Sequence, residues 1–318
     1  MISIIGDIHS DIKEDLIDEK INVLESYLNH SDGDKILLGD IFHNRKNISH
    51  YALKKLQELF QNCKDDIKII LGNHDCQFKN TLFPNSLIPA FKHLKNVEII
   101  TKPTEWNDFL LVPWICSENY NECIDAIRES NKKYLCGHLE INGFYMSRGI
   151  ECRGGFKKSD LSHYEKVFSG HFHIRSEKDN IIYCGSVCQN DWNDFDNQKG
   201  FYILENDDIK FIEGPKQIYK HLIVEDDFDI DVYKDCHVKI YHKKKLTKKQ
   251  YEKIEELKSF VRSYKIFDES FEVAVEKKLE KIEFNDIIDE YFVDIEIEDE
   301  LKDDIKVYLK DKYKEVLV

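Results

Sequence analysis

Short runs of β-branched and other apolar residues recur along the first two hundred positions, and most are closed by a glycine or a polar residue. They are ISII at 2–5, KILL at 35–38, IKIIL at 67–71, VEII at 97–100, FLLV at 109–112, KYLC at 133–136, KVFS at 166–169, IIYC at 181–184 and GFYIL at 200–204. Runs of this length bounded by turn formers predict buried strands. Between the first two, Leu16, Ile17, Ile21, Leu24 and Leu28 return at helical spacing. SHYALKKLQELFQNC at 49–63 repeats that spacing behind Ser49, a good N-cap. The chain therefore opens β-α-β-α-β, and the alternation up to about residue 205 predicts an α/β domain.

Gly214-Pro215 then marks a boundary. CHVKIYHKKKLTKKQYEKIEELK, from Cys236, reads as a strand, a basic turn and a helix capped by Thr247, the core of a small α+β domain. The last fifty residues hold two amphipathic candidates, IEFNDIIDEYFV and DELKDDIKVYLKDKYKEVL, joined by an acidic stretch. Their apolar stripes, Phe284, Ile287, Ile288 and Tyr291, then Leu301, Ile305, Tyr308 and Leu309, are more than a pair of helices this short can bury alone and predict a docking surface. The expected division is 1–214, 215–270 and 271–318, with no internal repeat to suggest a solenoid.

Composition adds limits. No apolar run approaches the ~20 residues of a membrane span. The opening MISIIGDIHSD has no basic segment or cleavage-like site, so a cytoplasmic protein without a membrane role is expected. Nine cysteines are scattered without a C-x-x-C pair, which predicts buried, reduced thiols. The formal charge of −15 argues at first against nucleic acid. Charge is segregated, however: residues 234–265 carry 11 Lys and Arg against 4 Asp and Glu, a net of +7, whereas 266–318 carry a net of −10. Lys243, Lys244, Lys245, Lys248 and Lys249 are the candidate DNA-binding residues of that basic segment.

Five strand ends carry the candidate chemistry. SIIGDIH supplies Asp7 and His9, KILLGDIFH supplies Asp40, IILGNHD supplies Asn73 and His74, YLCGHLE supplies His138, and VFSGHFH supplies His171 and His173. Side chains at the carboxyl ends of strands in an α/β sheet converge from distant parts of the chain. A lone Gly-Asp or Gly-His is an ordinary strand ending, but five in order, with D-x-H and G-H-x-H among them, make coincidence a poor account. Carboxylate, amide and imidazole donors without cysteine suit Mn²⁺ or Fe²⁺ better than a thiolate zinc site. Besides His74, the seven donors exceed one ion and suit a pair about 3.5 to 4 Å apart, bridged by one carboxylate.

GDIH, GDIFHNR, GNHD, GH and GHFH together resemble the ordered signature of the calcineurin-like metallophosphoesterase superfamily. GHLEINGF and the acidic tail are similar to SbcD-type double-strand-break nucleases, in particular the small subunit of the recombination endonuclease of tailed phages. The resemblance implies a sandwich of two mixed β-sheets flanked by helices, with a small capping domain and a helical tail. It implies that Asp7, His9, Asp40 and His173 hold one metal, and Asp40, Asn73, His138 and His171 the other. The ions would be Mn²⁺, with Mg²⁺ as the alternative. His74 would be the catalytic histidine that binds no metal, and His43 a second histidine near the scissile phosphate. Asp75 would either orient the His74 ring or cap a helix.

The implied activity is exonuclease action on duplex DNA and endonuclease action on single strands, in recombination, repair and replication. An SbcC-like coiled-coil ATPase would be the partner, since the chain has no phosphate-binding G-x-x-x-x-G-K-[ST] of its own. Ile287, Ile288, Tyr291, Leu301 and Ile305 would contact that partner, and the complex would contain a homodimer. Leu56, Leu59 and Phe60 suit either a dimer face or the core. The location would be the cytoplasm, the host's if the source is a phage. The competing expectations are a phosphomonoesterase or small-molecule phosphodiesterase of the same superfamily, and a scaffold with a vestigial site.

Overall fold

The computed structural model describes residues 1–224, 227–268 and 305. The expected partner residues Ile287, Ile288, Tyr291 and Leu301, and the tail 271–318 apart from Ile305, lie outside the described residues.

Two six-stranded sheets carry the first part of the chain. In one, β1 (Ile2–Ile5), β2 (Lys35–Leu37), β3 (Ile67–Ile70) and β4 (Val97–Ile100) run parallel. The hairpin β13 (Gly200–Glu205) and β14 (Asp208–Glu213) is added antiparallel, beside β1. In the other, β6 (Phe109–Val112), β7 (Tyr134–Gly137), β10 (Lys166–Ser169) and β12 (Ile181–Tyr183) run parallel. β5 (Thr104–Trp106) and β11 (Ser176–Lys178) form its antiparallel edges. A two-stranded ribbon of β8 (Tyr145–Ser147) and β9 (Ile150–Glu151) follows β7. All nine apolar runs form strands, shortened or shifted by a residue at some ends.

The inner faces of the two sheets share one apolar cluster. Ile4, Ile36, Leu38 and Ile70 from the first meet Leu111, Cys136, Phe168 and Ile182 from the second. The outer face of the first sheet is covered by α1 (Ile17–Leu28), α2 (His50–Asn62) and α3 (Leu87–Phe91). The outer face of the second packs on α4 (Tyr120–Glu129) through Cys123 and Ile127. This is the expected α/β sandwich of two mixed sheets with flanking helices. Near-continuous burial along β3, β6 and β7 is what strands covered on both faces require.

Ser49 caps α2 by accepting a hydrogen bond from the Ala52 amide at 3.3 Å. Leu56 and Phe60 are fully buried against the first sheet, so these two belong to the core and not to a surface. The nine cysteines are free thiols, all buried except the half-buried Cys63.

The chain divides into two compact units. The first is Met1–Lys220 with Asp231–Val238 and Phe260–Ser263, and the second is His221–Ile230, Lys239–Ser259 and the chain from Tyr264. A three-stranded sheet, β15 (Tyr219–Ile223), β16 (His237–His242) and β17 (Ser263–Asp268), accompanies α5 (Lys248–Lys258). Thr247 and Gln250 close a reciprocal capping box at the start of α5. No helix among the described residues is long and apolar enough to cross a membrane.

Candidate metal centre

Every strand that supplies a candidate ligand ends at the same rim. Asp7 and His9 follow β1, Asp40 follows β2, Asn73 follows β3, His138 follows β7, and His171 and His173 follow β10. Parallel register within each sheet brings these ends level, and the face-to-face packing of the sheets brings the two sets together.

Among the described residues three groups of donors result; one, His9 with His43 and His74, holds only imidazoles, and two include a carboxylate. Asp7, His9 and His173 form one, with His9 Nε2 at 2.8 Å from His173 Nε2 and Asp7 Oδ2 at 3.9 Å from His173 Nε2. Asp40, His138 and His171 form the other, joined by Asn73, whose Oδ1 lies 2.8 Å from His138 Nε2 and 2.9 Å from His171 Nδ1. Asp40 belongs to both: its Oδ2 is 3.5 Å from His9 Nε2 and 3.4 Å from His138 Nε2.

Holding these donors together strains the backbone. His9, Asp40 and His171 adopt positive φ of 45°, 49° and 85°, a region that side chains with a Cβ rarely enter. Strain of this kind persists where surrounding contacts over-determine it, and it gathers at functional sites. Two glycines permit the close approach. A Cβ on Gly72 would lie 2.3 Å from both the Asp40 amide nitrogen and Asp40 Oδ1, and one on Gly170 would lie 2.5 Å from Asp7 Oδ1.

The electrostatics fit a cation. His138 donates from Nδ1 to the Leu38 carbonyl at 2.7 Å, which turns Nε2 toward Asn73 and Asp40. Burial alone would lower its pKa, but the Asp40 carboxylate outweighs that and raises it to about 9. Burial pushes the Asp7 carboxyl up to about 7, against the pull of His138. Asp40, for which burial also favours the proton, is nevertheless held far below the carboxylate range by His138, His9 and His74. Burial drives His9 well down and His173 down to about 4, so both imidazoles are neutral at pH 7 and free to act as ligands. Once His138 gives up its proton, acceptor oxygens and neutral imidazole nitrogens converge here, and a positive charge among them satisfies all of them together.

The remaining candidates divide. The His74 ring hydrogen-bonds through Nδ1 to the His43 carbonyl, and its amide donates to Asp40 Oδ1 at 2.7 Å. The His43 ring stacks on that of His74 and lies with Nδ1 3.3 Å from His9 Nδ1. Asp75 neither orients His74 nor caps a helix. Its Oδ1 accepts from the amides of Ile41 at 3.0 Å and Phe42 at 3.3 Å, and its Oδ2 from the Gly72 amide at 3.0 Å, which ties the Asp40 loop to the Asn73 loop. Lys243, Lys244 and Lys245 are exposed and line a basin with Tyr241 and Gln250 in the second unit, where Lys248 and Lys249 open α5.

Several contributors escaped the sequence reading. Lys20 and Lys199 are buried behind the His173 corner. Lys20 Nζ donates to the Ile8 carbonyl and to Asn190 Oδ1, and Asn190 Nδ2 lies 3.4 Å from His173 Nδ1. Lys199 Nζ donates to the His173 carbonyl at 2.6 Å and to Asp194 at 2.7 Å. Glu140 lies 3.3 Å from His171 Nε2, and Trp114 packs 5.1 Å from the same ring. The GHLE and VPWI stretches contain the last two, but nothing local marks them as part of the site.

A model of the calcineurin-like phosphoesterase family matches residues 1–212. The chain belongs to this family. Its fold implies divalent metal ions, and the donor set at the phosphoesterase rim fits them. Residues of this phosphoesterase are also 34% identical, over 179 positions, to exonuclease subunit 1 of Enterobacteria phage T4. That alignment covers 54% of this chain and 52% of the phage protein, so the chain spans about half the length of the relative it matches.

Proposed function

We propose that this phosphoesterase is the nuclease subunit of an SbcCD-like recombination and repair complex, hydrolysing DNA phosphodiesters as an exonuclease on duplex ends and an endonuclease on single strands. The observation that carries the reading is the convergence of two donor groups on Asp40, with His74 beside them. Similarity to a phage exonuclease subunit supports DNA as substrate and a second subunit as partner. The exposed lysines of the second unit support it further.

Asp7, His9, Asp40 and His173 would hold one cation, and Asp40, Asn73, His138 and His171 the other. Mn²⁺ is the proposed ion for this oxygen and nitrogen donor set. Bound there, two dications supply Lewis acidity toward phosphate oxygens and toward water. The protein's own groups do the rest. His74 keeps one proton on Nδ1, bonded to the His43 carbonyl, so a second proton taken up at Nε2 can pass to the departing sugar oxygen and leave the ring neutral. His43, stacked on it, keeps that ring in place. The strained turns at His9, Asp40 and His171 preset the donors, so little reorganisation is needed when substrate binds. The tail stripes, with Ile287, Ile288, Tyr291, Leu301 and Ile305, are the proposed contact with a coiled-coil ATPase in a complex built around a homodimer.

The test is hydrolysis of labelled linear duplex and labelled single strand with Mn²⁺, beside His74→Ala and a small chromogenic phosphodiester. DNA degradation that is lost in His74→Ala is the expected result. Turnover of the small ester with DNA left intact overturns the nuclease reading in favour of a small-molecule phosphodiesterase.

A further inference from the structure

A cavity of about 350 Å³ opens beside the His138 and His171 half of the centre, within the first unit. Its walls are apolar and aromatic: Trp114 beyond β6, Tyr120, Ile124 and Ile127 of α4, and Phe156. It shares His138 and Glu140 with the metal centre, the first through Nε2 facing Asn73 and the second through its hydrogen bond to His171. Nothing in the hydrolytic chemistry described above uses it.

Three observations say what it takes. Trp114 lines the cavity and its indole Nε1 is buried without a hydrogen-bond partner, so the ring contributes apolar wall and not an accessible donor. Tyr120, at the start of α4, is 54% exposed, a large aromatic face left open at the cavity. The polar residues around it are Arg128, His138, Glu140 and Asp160, two acids to two bases, which offers no cluster of cations to hold a phosphate inside. A flat, uncharged aromatic group fits these walls, with its charged part outside, where the metal donors are. The volume sits at the low end of the ~300–1,000 Å³ of small-ligand sites, enough for one heterocycle and its sugar.

We propose that this cavity receives one nucleobase of the strand being cut, stacked on Tyr120 among the apolar walls, while the adjoining phosphate enters the metal centre. The inference rests on the nuclease reading above. A base can enter only from a single strand or an unstacked end, because a duplex keeps its bases in the stack. The cavity thus selects frayed and single-stranded substrates over intact duplex, and it registers the strand by one nucleotide.

The test uses the full chain with Mn²⁺ and a set of single-stranded oligonucleotides in which one abasic residue is moved stepwise past a fixed cleavage site. In the wild type, one abasic position within two nucleotides of the cut raises KM about tenfold, as loss of one base–aromatic stack implies, with kcat little changed. Ile124→Trp, which fills the cavity, raises KM about as much on the unmodified strand and is then insensitive to the abasic residue. Tyr120→Ala, at an exposed position, is the second variant should the first fold poorly, and behaves the same way. Equal KM for abasic and unmodified strands at every position overturns the proposal. So does a variant whose loss falls on kcat and is the same for both strands, which marks damage to the metal centre instead. Failure of the wild type to cut any oligonucleotide while it turns over a small phosphodiester sinks the nuclease reading itself, and this inference with it.

Discussion

Asp75 offers the sharpest test of how the centre is built. Its carboxyl is buried and accepts from three buried amides, those of Ile41, Phe42 and Gly72. Asp75→Ala leaves all three donors without a partner, at about 1–3 kcal/mol each. Two effects reduce the sum. Water entering the vacated space restores part of the bonding, and removing the acid relieves its own burial, which has already pushed its pKa up to about 8. A net loss of about 3–5 kcal/mol follows from the three orphaned donors less these offsets. Asp75→Asn keeps one acceptor oxygen for Ile41 and Phe42 but turns an NH₂ toward the Gly72 amide, so it should cost about 1–2 kcal/mol.

The pH dependence has a definite sign. The folded acid keeps its proton up to about pH 8, whereas the unfolded one loses it near 3.8. Its stabilising contribution is therefore complete below pH 3.8 and is lost as pH rises to about 8, so the gap between wild type and Asp75→Ala should be wider at pH 6 than at pH 9. Denaturant unfolding of the metal-free protein at both pH values measures the gap, and calorimetric titration measures metal affinity. That affinity should fall about 10- to 100-fold in Asp75→Ala, because the loops carrying Asp40 and Asn73 lose their brace. An Asp75→Ala protein within about 1 kcal/mol of wild type, well under the cost of three orphaned donors, with unchanged affinity would refute this account. An Asp75→Asn protein of normal stability with a shifted pH–rate profile would return Asp75 to the role of orienting His74.

Other consequences follow from the same geometry. Lys199→Met strands the buried Asp194 and should cost about 3–5 kcal/mol in urea unfolding; Lys199→Met with Asp194→Leu should recover much of that, and equal losses in the two would discount the pair. Gly72→Ala drives a Cβ into Asp40 at 2.3 Å, so calorimetry should show metal affinity falling about tenfold or more in a protein that still unfolds cooperatively. If the proposed ligand set holds, metal binding displaces a proton from His138 below pH 9 and another from Asp7 below pH 7. The dissociation constant should therefore rise about tenfold per unit as pH falls from 9 to 7 and more steeply below, which competition titration with a coloured chelator would show. A dissociation constant independent of pH would contradict those protonation states.

The strands that end in candidate ligands were legible in the chain because strand formation and its termination are local. An apolar run followed by Gly and a polar residue is written in consecutive letters, and the GDIH, GNHD and GHFH endings needed no knowledge of their neighbours. Features without such local signal were missed. The three-residue edge strands β5 and β11 are too short for periodicity to register, and α4, YNECIDAIRE, has a thin apolar stripe whose partners lie on the second sheet.

By itself, the sequence determined the α/β order, the caps at Ser49 and Thr247, and which side chains stand at the strand ends. Only the tertiary structure decided what those side chains do together. Asp75 braces two loops because Ile41 and Phe42, 34 and 33 residues away, present their amides to it. Lys20 and Lys199 lie in the interior, where composition alone would never place a lysine, because partners up to 170 residues distant satisfy them. The left-handed turns at His9, Asp40 and His171, and the buried pairing that splits the Asp7 and Asp40 protonation states, exist only when two sheets pack face to face. Hydrophobic pattern is a property of neighbours along the chain. Burial, strain and electrostatic coupling are properties of neighbours in space.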